Sequence, residues 1–337
     1  MSTPTDTAGG LAAEDVAAAA GLVRRIESAF SSRVVGQENV RTALLVTLLA
    51  EGHVLLESVP GLAKTLASSS LAQAIAADFA RIQCTPDLLP SDIVGTQVYD
   101  PRDHVFETQL GPVHANLVLL DEINRASAKT QSAMLEAMQE RQTSIAGEIH
   151  PLPSPFMVLA TQNPIEEEGT YVLPHAQMDR FLLKEVVDYP AEDDEITMLD
   201  RIEEGTLGQH SARVEPVVSL ADVRDLQALA RRVYVDPEIK KYVVSVIRAT
   251  RDVGRLVDRD LAAYVEIGAS PRGTIAFFQA ARAMAVLQGR HYVIPEDVRE
   301  LRHAVLRHRI HLSFEALADR VQPETVIDAV FRAIRTP

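Results

Sequence analysis

Short strand-like segments punctuate the first part of the chain, at residues 54–56, 79–84, 117–120, 156–160 and 181–187, of which 54–56, 117–120 and 156–160 are apolar at every position. Runs that are apolar at successive positions suit strands covered on both faces, as in a parallel sheet. Segments of helical composition and period lie between them, at 11–30, 39–50, 65–77 and 128–141. In the last of these, Met134, Leu135 and Met138 share one face and are expected in the core, and Ser127 is placed to cap its start. Two stretches read as hairpins: 96–110 around the polar tip Asp100, Pro101, Arg102, Asp103, and 142–153 with Gly147 at its bend. After Tyr189 and Pro190 the pattern changes to helices alone, with periods at 219–232, 238–253, 270–287 and 295–309. The acidic run Glu192 to Glu195 suits the N-terminus of the first helix there. The pattern predicts a loose tail at 1–11, an α/β domain at 12–190 carrying both hairpins, and an all-α domain at 191–337.

Residues 53–67 concentrate the candidate chemistry. The strand Val54, Leu55, Leu56 runs into Glu57, Ser58, Val59, Pro60, Gly61, Leu62, Ala63, Lys64, Thr65 and then a helix that continues through Leu66. A strand that stops at a Pro-Gly turn and restarts as a helix leaves several backbone N–H groups facing one concavity, which suits a triphosphate. Lys64 can reach the β and γ phosphates, and the Thr65 hydroxyl can ligate Mg²⁺. The pattern Gly-x-x-x-x-Gly-Lys-Ser/Thr is half met, because Ser58 and Ala63 stand where it has glycine. Alone, the stretch is compatible with an ordinary strand-to-helix turn. Asp121 and Glu122 change that, as two carboxylates at the end of a buried strand. Asp121 is placed to hold the Mg²⁺ shell, and Glu122 to orient or deprotonate a water attacking the γ phosphate. Asn163, ending a strand expected beside that of Asp121, can hold the water and sense the γ phosphate. Ser270, Pro271 and Arg272 open a helix, and an arginine at a helix start is electrostatically misplaced unless it meets an anion.

Composition narrows the partners. The chain has 337 residues, 47% hydrophobic, and its longest apolar stretch, 43–50, is too short to span a bilayer. A net charge of −14, with no Trp and 5% aromatics, argues against nucleic acid as a partner. The polar start, Met1 to Gly10, lacks the basic and apolar regions of a signal peptide, and the single cysteine, Cys84, rules out an intrachain disulfide. Both point to a cytoplasmic location, with Cys84 packed rather than reactive. His303, His308 and His311 invite a metal reading, but Arg302, Arg307 and Arg309 among them would repel a cation. A solvated basic face is the expectation.

Taken together, Leu56 to Thr65, Thr85-Pro86-Asp87-Leu88-Leu89-Pro90-Ser91-Asp92, Asp121-Glu122-Ile123-Asn124-Arg125-Ala126, Ala160 to Pro164, Gln177 to Phe181 and Ser270-Pro271-Arg272 resemble the MoxR family of AAA+ ATPases along nearly the whole chain. The resemblance implies a three-layer αβα P-loop NTPase domain with two inserted hairpins and a helical lid, in a ring that is usually hexameric. It implies ATP and Mg²⁺, and a chaperone that remodels or matures partner complexes, often with a von Willebrand factor A domain protein. Val35 and Gly36 resemble the segment that backs the adenine ring. Arg180, in the Gln-x-Asp-Arg-Phe string, would face a neighbour's γ phosphate, while Arg272 would sense the γ phosphate of its own subunit. Ser58 and His175 depart from the family pattern, which has Gly or Asp and Glu there. Two other uses compete. A nucleic-acid motor would carry basic hairpin tips, whereas here one tip is mixed and the other, Ala146-Gly147-Glu148, is acidic. Against an ATP-binding scaffold with little turnover speak the intact Lys64, Asp121, Glu122 and Asn163.

Overall fold

The computed structural model describes residues 13–59, 61–164, 171, 173–207, 214–255, 257 and 259–337. The tail at 1–11 and Pro60 of the phosphate loop lie outside them. The strands in chain order are β1 Val54–Glu57, β2 Phe79–Gln83, β3 Gly95–Asp100, β4 Val105–Leu110, β5 Leu117–Asp121, β6 Gln142–Ile145, β7 Glu148–Pro151, β8 Met157–Gln162 and β9 Leu183–Val186. Five of them form one sheet in the order β2-β5-β8-β1-β9, parallel throughout. The hairpins β3–β4 and β6–β7 are separate antiparallel pairs.

Alternation along the central strands sorts their side chains into two layers. Val54, Leu56, Leu117, Leu119, Met157 and Leu159 face one hydrophobic core, and Leu55, Val118, Leu120, Val158 and Ala160 face the other. All are essentially sealed from water, and each buried side chain of this size contributes about 1.5 to 3 kcal/mol. The first core takes helices Ala13–Ser31, Glu38–Leu49 and Lys64–Ala74. The second takes helix Ala128–Glu140 through Met134, Leu135 and Met138, as its period predicts, with Ser127 Oγ accepting from the Thr130 N–H. Sheet and flanking helices make three layers.

The C-terminal region is helical and shares the first core through helices Leu220–Arg232, Pro237–Arg251 and Pro271–Leu287. Two details differ from helices alone. A short antiparallel pair, β10 Val265–Ile267 with β11 His311–Leu312, lies inside it. The period at 295–309 is split into Pro295–Glu300 and Arg302–Leu306, separated at Leu301. Packing of the second piece beside β9 sets its direction, a tertiary contact overriding local propensity. Among the described residues no helix is long and apolar enough to cross a membrane.

His53 locks the lower end of the sheet, just before β1. Its Nδ1 accepts from the Val158 N–H at 3.0 Å, which leaves Nε2 to donate to the Met138 carbonyl at 3.1 Å. Burial lowers its pKa from 6.5 to about 4; the Met138 bond acts the other way and Arg141 adds to the fall. Below that value protonated Nδ1 could no longer accept from Val158. Because the folded pKa is depressed, the unfolded chain binds more protons between the two values. Stability is therefore complete above pH 6.5 and falls as the pH drops toward about 4, by about 3 kcal/mol from this residue. Urea unfolding at a series of pH values should show that slope, and His53→Gln, which keeps one donor and one acceptor without titrating, should flatten it.

Candidate active site

The phosphate loop leaves the C-terminal end of β1. Ser58 is buried and its hydroxyl donates to the Val59 carbonyl at 3.0 Å, so the position that the pattern gives to glycine is filled by a small, self-satisfied side chain. Gly61 turns the chain at φ 89°, and Ala63 takes a left-handed φ of 52° immediately before helix Lys64–Ala74. No side chain caps that helix start, which keeps its first N–H groups available to an anion. The Lys64 ammonium donates to the Ser58 carbonyl at 3.3 Å, folded back over its own loop. Thr65 and Leu66 follow in the first turn, partly exposed.

Sheet order brings the acidic residues beside this loop. β8 lies between β5 and β1, so Asn163, buried just past β8, stands between the acidic pair and the phosphate loop. Glu122 leaves the strand in a left-handed turn, φ 57° and ψ 55°, which swings its side chain off the end of β5. Thr161, fully buried on β8, donates to Asp121 Oδ1 at 2.8 Å and accepts from the Glu122 N–H at 2.8 Å. One hydroxyl thereby fixes both acids. On the other side Gln83, in register with Asp121, donates to Glu122 Oε2 at 3.0 Å, and Arg125 pairs with the same oxygen at 3.3 Å. Arg81 pairs with Asp121 Oδ2 at 2.6 Å. Sequence reading missed Thr161, Gln83 and Arg81. Their signal was available: polar residues inside or at the end of apolar runs that neighbour the acidic strand.

Cys84 follows Gln83 and is buried. Burial, reinforced by the charges of Asp121 and Glu122, pushes its thiol up to about 12. It is packed and unreactive, as expected.

Val35 and Gly36 line a cavity of about 580 Å³ with Asp188, Tyr189, Asp194 and Thr197. It opens at the C-terminal end of β9, the strand next to β1, and so shares an edge of the sheet with the phosphate loop. Gly36 has φ 66°, and a Cβ there would come within 2.6 Å of Asp194 Oδ2. The left-handed φ favours glycine there, and a larger residue would also have to push the Asp194 carboxylate aside. Gln37, also left-handed at φ 57°, donates to the Asp188 carbonyl at 2.9 Å and fastens the segment to the end of β9.

Arg180 and Arg272 lie at the opposite edge. Both line a cavity of about 350 Å³ with Gly52, His53 and Gln139, residues that precede β1 or end helix Ala128–Glu140. Between this cavity and the phosphate loop of the same chain lies the length of β1, about 13 Å. Asp179 sets this placement. Its Oδ2 accepts from the hydroxyl of Ser270, the cap of helix Pro271–Leu287, at 2.7 Å, and its Oδ1 accepts from Arg309 Nε at 2.8 Å. Asp179 therefore holds the start of the Arg272 helix beside Arg180 and pairs with the C-terminal region. Arg180 Nε is buried with no hydrogen-bond partner among the described residues.

The basic cluster departs from a solvated face. Arg309 is 2% exposed in its side chain and also donates to the Phe181 carbonyl at 2.7 Å and the Leu182 carbonyl at 3.1 Å. Burial lowers its pKa to about 10, against the raising effect of Asp179, so it stays charged at neutral pH. Arg307 pairs with Glu185 and Glu324. His308 is buried against the Phe181 carbonyl, and burial, with Arg309 adding, holds its pKa well below 6.5. His303 bonds Asp328, and the His311 ring lies against that of His175 at an interplanar angle of 53°. The carbonyls of Phe181 and Leu182, just ahead of edge strand β9, draw the Arg309 guanidinium inward. Among the described residues no group of three or more His, Cys, Asp or Glu side chains comes together.

The fold and this edge define a AAA-type ATPase with its lid. Residues 53–183 match the ATPase family associated with various cellular activities (AAA), and residues 259–330 match the AAA lid domain. The chain belongs to the MoxR family of AAA+ ATPases. It is 48% identical over 304 residues to Chaperone MoxR1 of Mycobacterium tuberculosis, covering 90% of this chain and 79% of that protein. It is 32% identical to Protein MoxR of Paracoccus denitrificans, covering 93% and 96%. A solved structure from Cytophaga hutchinsonii superposes with a TM-score of 0.89 at 39% identity, covering 96% of this chain and 97% of that one.

Removing the Asp179 carboxylate leaves the buried Arg309 charge unbalanced. Asp179→Ala should lower stability by about 3 to 5 kcal/mol, read from chemical unfolding. A loss below 1 kcal/mol would mean that the backbone carbonyls alone hold Arg309.

Proposed function

We propose that this ATPase hydrolyses ATP with Mg²⁺ at sites shared between neighbouring copies in a ring, and uses the cycle to remodel or mature partner protein complexes. The observation that carries the reading is the division of the candidate groups between the two edges of the sheet. Lys64, Thr65, Asp121, Glu122 and Asn163 gather at one edge, and Arg180 and Arg272 at the other. A chain with its phosphate-binding groups and its candidate finger on opposite edges is suited to work head to tail, each copy offering arginines to the next.

Val35 and Gly36 would back the base, and the loop from Ser58 to Leu66 would cradle the phosphates, with the Lys64 ammonium moving from the Ser58 carbonyl onto the β and γ oxygens. The hydroxyl of Thr65 and the carboxylate of Asp121 are hard oxygen donors that fit Mg²⁺. When bound, the ion would neutralise charge developing on the β and γ oxygens. Glu122, carried by a turn that Thr161 fixes, would accept the proton of the attacking water while Asn163 holds that water in place. Arg180 and Arg272 of the adjoining copy would meet the charge spreading over the γ phosphate. Exposed Val98, Tyr99 and Phe106 on the β3–β4 hairpin support a protein client rather than nucleic acid, as does the acidic net charge. The name Chaperone MoxR1 supports remodelling. The family pattern supports a hexamer and a von Willebrand factor A domain partner.

Glu122→Gln should keep ATP affinity and lose hydrolysis by about 10²- to 10⁴-fold, measured by calorimetry and phosphate release. A parallel loss of binding would make Glu122 structural.

Sharing of the site is tested by mixing inactive proteins. Lys64→Ala has a dead site and a sound pair of arginines; Arg180→Ala has a sound site and offers no finger. Mixed rings should regain ATPase activity, and Arg272→Ala should behave as Arg180→Ala does. Mixtures that stay inactive, with mixed assemblies confirmed by native mass measurement, would place the whole site in one chain.

A further inference from the structure

Asp121 carries the carboxylate that the reading above gives to Mg²⁺, yet side chains of the protein engage both of its oxygens. Oδ1 accepts from the Thr161 hydroxyl at 2.8 Å. Oδ2 accepts from two nitrogens of Arg81, Nε at 3.1 Å and Nη2 at 2.6 Å. The Asp121 side chain is 12% exposed and that of Arg81 48%, so the guanidinium covers the carboxylate from the solvent side. Arg81 belongs to β2, the outermost strand on this flank. Its side chain can leave without disturbing the ladder.

The same Nη2 donates to Gln83 Oε1 at 3.0 Å. That bond fixes which end of the amide is the acceptor and turns Gln83 Nε2 toward Glu122 Oε2 at 3.0 Å. Arg81 is thus joined to Asp121 directly and to Glu122 through one amide.

A guanidinium and a divalent ion cannot both sit at contact distance from one carboxylate oxygen without strong repulsion. We infer that Arg81 is a resident counter-ion of the metal site, which balances Asp121 before loading, gives up its oxygen on Mg²⁺ binding, and in leaving releases the amide that holds Glu122. The inference rests on Asp121 being a metal ligand. It explains why a carboxylate that must not repel an incoming triphosphate is paired beforehand. It also explains why the pairing group sits on the solvent side of an edge strand instead of in the core, where it could not move.

The test compares wild type, Arg81→Ala and Arg81→Lys for binding of the β,γ-imido analogue of ATP, by calorimetry, in EDTA and across a Mg²⁺ titration. A charge-assisted pair of this kind corresponds to roughly 10- to 100-fold in affinity. Without metal, Arg81→Ala should bind the analogue more weakly, because Asp121 is left bare. With metal, its half-saturating Mg²⁺ should fall about tenfold or more, because no guanidinium has to be displaced. Arg81→Lys, a compact charge without the fork, should lie between the two and serves if the alanine variant folds poorly. An unchanged half-saturating Mg²⁺ in both variants would overturn the inference. So would an equal loss of affinity in EDTA and in Mg²⁺, which would make Arg81 a phosphate ligand. If wild type itself bound the analogue equally with and without Mg²⁺, the metal role of Asp121 would fail instead, and with it the premise.

Discussion

A single strand direction governs where chemistry can occur in this molecule. In a parallel sheet, whatever follows a strand collects along one edge and whatever precedes a strand collects along the other. The phosphate loop, the acidic pair and Asn163 follow β1, β5 and β8, whereas His53 precedes β1 and the segment from Asp179 to Phe181 precedes β9. No loop conformation can move a group across the sheet. The distance between the two sets is a strand length, set by the backbone, and it holds whatever the side chains do.

The second constraint is the junction at Asp179. A short carboxylate receives a hydroxyl and a guanidinium from the C-terminal region, and that guanidinium also reaches the carbonyls of Phe181 and Leu182. Arg180 lies inside this bonded unit. Helix Glu192–Glu203 contributes Asp194 and Thr197 to the cavity beside Gly36 at the far edge. The C-terminal region therefore touches both ends of the sheet. A tilt of that region imposed at one end would be felt at the other through packed helices and this junction, a rigid-body route of the kind by which hinged domains respond to ligands.

Much of the fold was legible because the strands are short apolar runs with chemically marked ends. Asp121 and Glu122 close a run of four apolar residues, and Ser58 to Thr65 interrupts a strand before a helix. Period alone also placed Met134, Leu135 and Met138 in the core. What escaped was information carried between elements. Arg309 reads as surface in sequence because arginine usually is, and its burial is explained by the Asp179 carboxylate together with the carbonyls ahead of an edge strand. The place of Arg272 at the lower edge, where Asp179 holds the start of its helix, is likewise set by a contact between elements. Thr161, Gln83 and Arg81 became visible once strand register set them beside the acids. The split at Leu301 follows from docking, which the period of 295–309 does not encode.

Cys84 has a practical consequence. Maleimides, haloacetamides and disulfide reagents react with the thiolate, and this thiol, the only one in the chain, is sealed and held protonated to about pH 12. In the folded state burial and the two neighbouring acids both act to shield this thiol from sulfhydryl labels. Cysteines introduced at chosen surface positions, such as the exposed ends of the β3–β4 hairpin or the two sheet edges, can then be dyed, spin-labelled or cross-linked in pairs against a clean background, with the wild-type residue left beside the acids where it packs.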